Sequence, residues 1–168
     1  MDTPVQYCPP HGGFRPAGQV VAAHFCTPPS LTKRRLTGRR LQGVRYEKKA
    51  QEYLQERLGE GYVNSPWIRF LADGKWRWCQ PDGILFKPRE GRIVIVEVKY
   101  QHTSDAWWQL RHLYQPVLEA IFPRDLWRYE VCELVKWFDP ATPFPEKTVF
   151  AHEVDMMSHG FKVHIWRP

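Results

Sequence analysis

The segment Ile93-Val94-Ile95-Val96-Glu97-Val98-Lys99-Tyr100 carries β-branched residues at five of its eight positions. Such residues crowd a helix and suit a pleated strand. Lys87-Pro88-Arg89-Glu90-Gly91-Arg92, just before it, has the composition of a turn, and Trp76 to Phe86 before that reads as a second extended segment. If Phe86 faces Ile93 across this six-residue loop, then Ile84 faces Ile95 and Asp82 faces Glu97. Alternation puts Lys99 on that face too and turns Val94, Val96 and Val98 to the other, whereas a slip of one residue would separate the two acids. Directly opposed residues lie roughly 5 Å apart, and like charges there are destabilising. The pair needs a cation. Lys99 can supply one, and two hard oxygen ligands at this spacing also suit Mg²⁺ or Mn²⁺ alongside retained waters.

The flanking sequence predicts an α+β (α/β) chain built around an antiparallel meander. Gly43 to Leu58 has no interior Pro or Gly and stops at Gly59 and Gly61, so it is expected to form a helix. Helical spacing gives it an inward stripe of Val44, Glu47, Ala50/Gln51, Leu54 and Leu58. Glu47 sits among apolar positions, where an unpaired carboxylate is costly; alone, it reads as a salt-bridged or surface-edge residue. Val63 to Leu71 is extended and Asp73-Gly74 is a hairpin signal leading into Trp76 to Phe86. Thr103 or Ser104 can cap a second helix from about Asp105 to Phe122, which Pro116 should kink or divide. Its buried stripe would be Trp107, Leu110, Leu113/Tyr114, Val117 and Ile121. Arg128 to Phe138 is expected as a strand, with Val149 to Val154 and Phe161 to Trp166 as a last hairpin.

A length of 168 residues suits one domain plus an extension. The longest aliphatic run, Ile93 to Val96, is four residues, so no membrane helix is expected. No charged start with an apolar stretch marks a secretory signal. Four widely spaced Cys do not resemble a disulfide framework, and the expected compartment is reducing and cytoplasmic. The net charge of +6 is uneven: residues 1 to 44 hold six Lys or Arg and only Asp2, 6 − 1 = +5, and the remainder nets 18 − 17 = +1. Lys33, Arg34, Arg35, Arg39 and Arg40 supply five of those six cations, so residues 1–42 read as a basic arm for holding DNA phosphates, before a domain spanning 43–168. The plainer alternative is a solvated leader. Upstream, Cys8, His11, His24 and Cys26 have zinc-ligand chemistry, although one residue between His24 and Cys26 is tighter than the usual spacing.

Pro81-Asp82, a following strand and Glu97-Val98-Lys99 together resemble the signature of the PD-(D/E)XK nuclease superfamily. Gly43-x3-Glu47 is similar to the acidic helix of many members, archaeal Holliday-junction resolvases among them. The resemblance covers approximately residues 43 to 122. It implies a restriction-endonuclease-like core, a central mixed β-sheet flanked by helices, and hydrolysis of DNA phosphodiester bonds to 5′-phosphate and 3′-hydroxyl ends. Asp82, Glu97, the Val98 carbonyl and Glu47 would hold Mg²⁺ or Mn²⁺, and Lys99 would act with them in catalysis. Gln109 and Tyr114 resemble the Gln-and-Tyr motif of the RecB and lambda-exonuclease branch, for an active-site or DNA-contact role. Here four residues separate them instead of the usual three. The cysteines do not match the iron-sulfur pattern of some relatives in that branch.

Other readings stand beside this one. A non-catalytic DNA-binding or assembly protein would keep the fold, but every expected active-site residue type is present. An exonuclease or RNA-directed nuclease of the same superfamily is compatible with the sequence. A homodimer would suit paired cuts and a ring-shaped homo-oligomer processive degradation. His102 reads as a solvent-facing residue before a helix cap. Trp76 with Trp78, and Trp107 with Trp108, are candidates for stacking on bases, with core packing expected to claim at least one of each pair.

Overall fold

Two prolines break the expected meander. In the computed structural model, which describes residues 15–30, 37–99, 104–136 and 161–166, the first extended segment divides at Ser65-Pro66 into β2 (Tyr62–Asn64) and β3 (Trp67–Ala72). The second divides at Gln80-Pro81-Asp82 into β4 (Lys75–Cys79) and β5 (Gly83–Lys87). Proline has no N–H to give a ladder, and Ser65 takes a positive φ of 46°, so the chain leaves one sheet and enters another at each break. With β1 (Val20–Cys26), β6 (Arg92–Lys99), β7 (Arg128–Lys136) and β8 (Phe161–Trp166), the strands form a three-stranded sheet, β1-β3-β4, and a five-stranded sheet, β2-β5-β6-β7-β8. The fold is therefore mixed α/β with two sheets. A single meander is not what forms.

Where local chemistry sets the pairing, the expected register is found. Asp73 and Gly74, with φ of 50° and 70°, close the two-residue β3–β4 hairpin, and positive φ at both centres matches the right-handed strand twist. Phe86 pairs with Ile93 and Ile84 with Ile95. The neighbours β6 and β7 are parallel, from Arg92↔Arg128 to Lys99↔Val135. Parallel strands need a crossover, supplied by α2 (Ser104–Gln109), a π-helical turn Leu110–Tyr114 and α3 (Gln115–Glu119). β8 pairs antiparallel with β7; the segment expected to be its hairpin partner, Val149 to Val154, lies outside the described residues.

The central strand β6 has a core on each side. Ile93 and Ile95 pack with Tyr129, Val131, Leu110, Val117 and the inner face of the small sheet, including Ile68 and Phe70. Val94, Val96 and Val98 pack with Leu85, Cys132, Leu134 and helix α1 (Gly38–Leu58). Each fully buried aliphatic side chain is worth about 1.5–3 kcal/mol. The stripe of α1 differs from expectation: Tyr46, Ala50, Gln51 and Leu54 are buried, whereas Val44 is 45% exposed. Tyr46, Ala50 and Leu54 follow 3.6-residue spacing as well as the Val44 set does, and the larger tyrosine occupies the inner face.

Pro116 does shape its helix. It cannot donate to the carbonyl four residues earlier, that of His112, and Ala17 N–H donates to that oxygen instead at 2.8 Å. Residues before 43 are therefore part of the fold: β1 pairs along β3, and α1 begins at Gly38, five residues earlier than expected. A boundary at 42/43 would cut through α1. Among the described residues no helix is long and apolar enough to cross a membrane, and Cys26 and Cys79 are free thiols.

Candidate active site

Asp82 stands where one sheet gives way to the other. The β5–β6 ladder ends at Gly83↔Val96, which leaves the next inward-pointing amide of β6, Val98 N–H, without a strand partner. The Asp82 carboxylate takes that place, its Oδ2 accepting from Val98 N–H at 2.6 Å. The Asp82 main-chain carbonyl accepts from Gln51 Nε2 at 2.6 Å, Ser65 N–H at 2.9 Å and Ser65 Oγ at 3.3 Å. Tyr62 Oη donates to Gln51 Oε1 at 2.7 Å, and Gln80 Nε2 donates to the Ser65 carbonyl at 2.8 Å. Both proline crossovers are thus tied to each other at Asp82. Gly83 fits beneath Tyr62: a Cβ there would lie 2.1 Å from the tyrosine oxygen.

Glu97 and Lys99 project from β6 on the side of α2 and the small sheet. Lys99 Nζ donates to Glu97 Oε1 at 2.5 Å and to Gln109 Oε1 at 3.0 Å. Glu97 is 4% exposed, and its other oxygen, Oε2, is buried without a hydrogen-bond partner. Burial, then the Asp82 charge, pushes its carboxyl up to about 8 against the opposing pull of Lys99. Burial and then Asp82 likewise raise Glu47 to about 7. Asp82 is also raised by burial, but the Val98 amide, Lys99 and a hydrogen bond with Glu47 restrain it. Burial pulls the Lys99 ammonium down, yet Glu97, Asp82 and Glu133 more than offset this and leave it above the usual lysine value. Lys99 is therefore the charged partner, and the carboxyls carry the frustration.

The three carboxyls and one ammonium would sum to −3 + 1 = −2 if all were ionised. Among the described residues, no group of three or more His, Cys, Asp or Glu is arranged to hold a metal ion unaided. The orphaned Glu97 Oε2 and the upward pressure that burial and Asp82 put on Glu47 and Glu97 nevertheless fit a divalent cation held by few carboxylates and completed by water or substrate oxygens, the habit of Mg²⁺. The Val98 carbonyl lies on the Asp82 side of β6, because the N–H and C=O of one strand residue point the same way.

The four-residue gap between Gln109 and Tyr114 has a structural counterpart. Leu110–Tyr114 is a π-helical turn, which accommodates one residue more per turn than an α-helix. Gln109 reaches Lys99, and Tyr114 is buried near enough for Glu97 and Asp82 to add to the burial that raises its hydroxyl. Both therefore address the same cluster despite the extra residue.

Other sequence candidates lie elsewhere. Arg39 and Arg40 are exposed in the first turn of α1, beside no acidic residue of that turn, while Lys33, Arg34 and Arg35 lie outside the described residues. Of the zinc candidates, Cys8 and His11 also lie outside; His24 and Cys26 are on β1, and the His24 ring meets the edge of Trp76 at a centroid distance of 5.7 Å. His102 is outside the described residues. Trp108 is half-buried and stacks on His112 at 4.3 Å. Neither Trp76 nor Trp78 is in the core, contrary to expectation: they are 42% and 48% exposed, since residues two apart in a strand share a face and that face is the outer one.

Sequence reasoning missed Gln51, Tyr62 and Ser65, which fix Asp82, and Glu133, which is fully buried on β7 opposite Glu97 and whose charge acts on Lys99. Glu133 was visible as an acid inside a strand, Tyr129 to Leu134, otherwise rich in apolar residues. Compared with protein-family models, curated proteins and solved structures, the chain matches none of them.

Proposed function

We propose that this chain is a divalent-metal-dependent DNA endonuclease of the PD-(D/E)XK type, leaving 5′-phosphate and 3′-hydroxyl ends. One observation carries the reading: Asp82, Glu97 and Lys99 meet at the end of the β5–β6 hairpin, with Glu47 approaching from α1 and Gln109 from α2. Buried charge is costly unless something uses it. The mixed five-stranded sheet with a helical crossover between parallel β6 and β7 is compatible with a restriction-endonuclease-like core.

Asp82, Glu97 and the Val98 carbonyl would hold Mg²⁺ or Mn²⁺, with Glu47 as a further oxygen donor. Such an ion supplies Lewis acidity toward a phosphate and makes water a better nucleophile. Lys99, held by Glu97 and Gln109, would neutralise charge developing on the phosphate. The hydrogen bond from Val98 N–H keeps Asp82 in one orientation, so its carboxylate would meet an ion with little reorganisation. Arg39 and Arg40 oppose the positive end of α1, an arrangement that an approaching phosphate would relieve.

The test uses supercoiled, linear, single-stranded and four-way-junction DNA, and RNA, with Mg²⁺, Mn²⁺ or EDTA. Metal-dependent cleavage that is lost in Asp82→Asn and Lys99→Ala supports the proposal. Equal cleavage by wild type and both variants overturns the site, and no cleavage by folded protein favours a DNA-binding module. Shortening from ends only would make it an exonuclease, and preference for RNA would change the substrate.

A further inference from the structure

The outer face of the small sheet has a composition that folding alone does not call for. β3 alternates between half-buried Trp67, Arg69, Leu71 and fully buried Ile68, Phe70, Ala72, so one side packs inward and the other faces out. Register aligns His24 with Arg69 and Arg69 with Trp78 in one row across the three strands, and Leu71 with Trp76 in the next. The Arg69 guanidinium lies over both indoles, 4.7 Å from the Trp76 ring centroid and 5.3 Å from that of Trp78. His24 meets the edge of Trp76.

Two observations separate this face from a patch of stray surface aromatics. Arg69 makes no hydrogen bond or ion pair among the described residues, and its Nε is buried without a partner. By contrast Arg77, on the inner side of the same hairpin, donates to the Pro16 and Ala17 carbonyls, pairs with Asp73 at 3.6 Å and covers Phe70. Moreover, the residues that register places on the outer face include no carboxylate, while Lys75 is exposed at the hairpin end. A sheet face carrying exposed indoles and a guanidinium with no acidic partner among the described residues matches the chemistry of unpaired bases linked by phosphates. An acidic protein partner would satisfy the cation but would leave the two exposed indoles without matching flat groups.

We propose that this face, built on Trp76, Trp78 and Arg69, binds single-stranded DNA by base stacking. It rests on the nuclease reading only for the choice of DNA as the polymer. Trp78 and Asp82 are four residues apart, a span of at most about 14 Å, so a strand stacked here lies within a few nucleotides of the acidic cluster. The surface would hold an unpaired strand leading to or from the point of cutting.

The experiment titrates the full chain, in EDTA so that the strand stays intact, with an end-labelled mixed-sequence oligodeoxynucleotide, the matching duplex and the matching RNA. Anisotropy and indole emission are read together. Single-stranded DNA is expected to quench tryptophan emission and to bind more tightly than duplex, and Trp76→Ala or Trp78→Ala to weaken it about tenfold each. Arg69→Gln weakens it and reduces the salt dependence. Binding is read in EDTA and does not depend on cutting, so a wild-type chain that cleaves nothing with Mg²⁺ or Mn²⁺ but binds single-stranded DNA through Trp76 and Trp78 loses the nuclease reading and leaves this one standing. Folded alanine variants that bind like wild type overturn the proposal, as does tighter binding of RNA or of duplex. Should an alanine variant fail to fold, undiminished affinity in Trp76→Leu with Trp78→Leu, or undiminished tryptophan quenching in Trp76→Phe with Trp78→Phe, overturns it equally.

Discussion

The two sheets break the ordinary inside-out rule in opposite directions. The five-stranded sheet buries Glu97 and Glu133 at its centre, whereas the three-stranded sheet exposes Trp76 and Trp78 at its surface. Buried charge and exposed large aromatic surface are the two informative departures from normal partitioning. What lies behind them differs as well: Val94, Val96 and Val98 form core behind Glu97, whereas the other face of β4 has Cys79 buried and Arg77 covering Phe70. Packing thus leaves one face of β6 for the proposed chemistry and one face of the small sheet for the proposed contact.

The largest effects belong to the buried charges. Lys99→Ala removes the ammonium that Glu97 and Gln109 hold, and cleavage is expected to fall by about 10²–10³-fold or more, the scale of losing one positioned electrostatic donor. Asp82→Asn should do likewise. Full activity in either variant, assayed on plasmid DNA, would mean that the buried charges are structural and that the contrast between the sheets is one of packing only.

A pH titration of stability comes next. Glu97 and Glu47 have folded values near 8 and 7 against an ordinary 4.5. A carboxyl raised on folding favours the fold while protonated, so its contribution is complete below about 4.5 and is lost as pH rises through the folded values. The metal-free protein should therefore melt progressively lower between pH 5 and pH 8. Glu97→Gln should flatten that slope, and millimolar Mg²⁺ should restore the melting temperature at the alkaline end. A flat profile in wild-type protein would show that the carboxyls meet no electrostatic pressure.

Gly83→Ala is smaller. Its Cβ would collide with Tyr62, whose hydroxyl orders Gln51 against the Asp82 carbonyl. Overpacking of this kind costs about 1–3 kcal/mol, and cleavage should fall further than stability accounts for because Asp82 moves. Equal losses in stability and activity would leave the Tyr62–Gln51–Asp82 chain a packing element only.

What could be read from the sequence follows the range of the forces involved. Asp73-Gly74 and the Phe86↔Ile93 register are fixed by turn residues and alternation within a few positions, so the Asp82–Glu97–Lys99 convergence was legible in advance. The sheet exchange at Pro66 and Pro81 was not. A proline marks an interruption, but where the chain goes next is set by distant partners, Val98 for Asp82 and β1 for β3. β1 itself, Val-Val-Ala-Ala-His-Phe-Cys, sits in a Pro- and Gly-rich stretch that hid it. Gln51 and Tyr62 were invisible for the same reason: their role is toward a main-chain carbonyl, which leaves no motif. The π turn could not be read either, although the extra residue between Gln109 and Tyr114 was its trace.

The smallest expected effect is on the fold when the exposed tryptophans are removed. Trp76→Ala and Trp78→Ala delete side chains that already meet solvent over nearly half their surface. What is lost in the folded state is the cation–π contact with Arg69, worth about 0.5–1 kcal/mol at an exposed site, together with partial packing between neighbours on the face. For a chain of this size about 1 kcal/mol shifts the melting temperature by roughly 2–4 °C. A shift within that range, measured by thermal unfolding, would separate this face from Glu97 and Lys99, where burial couples function to stability. A much larger shift would place the indoles in the support of β3 and β4, and the two sheets would then differ less than their surfaces suggest.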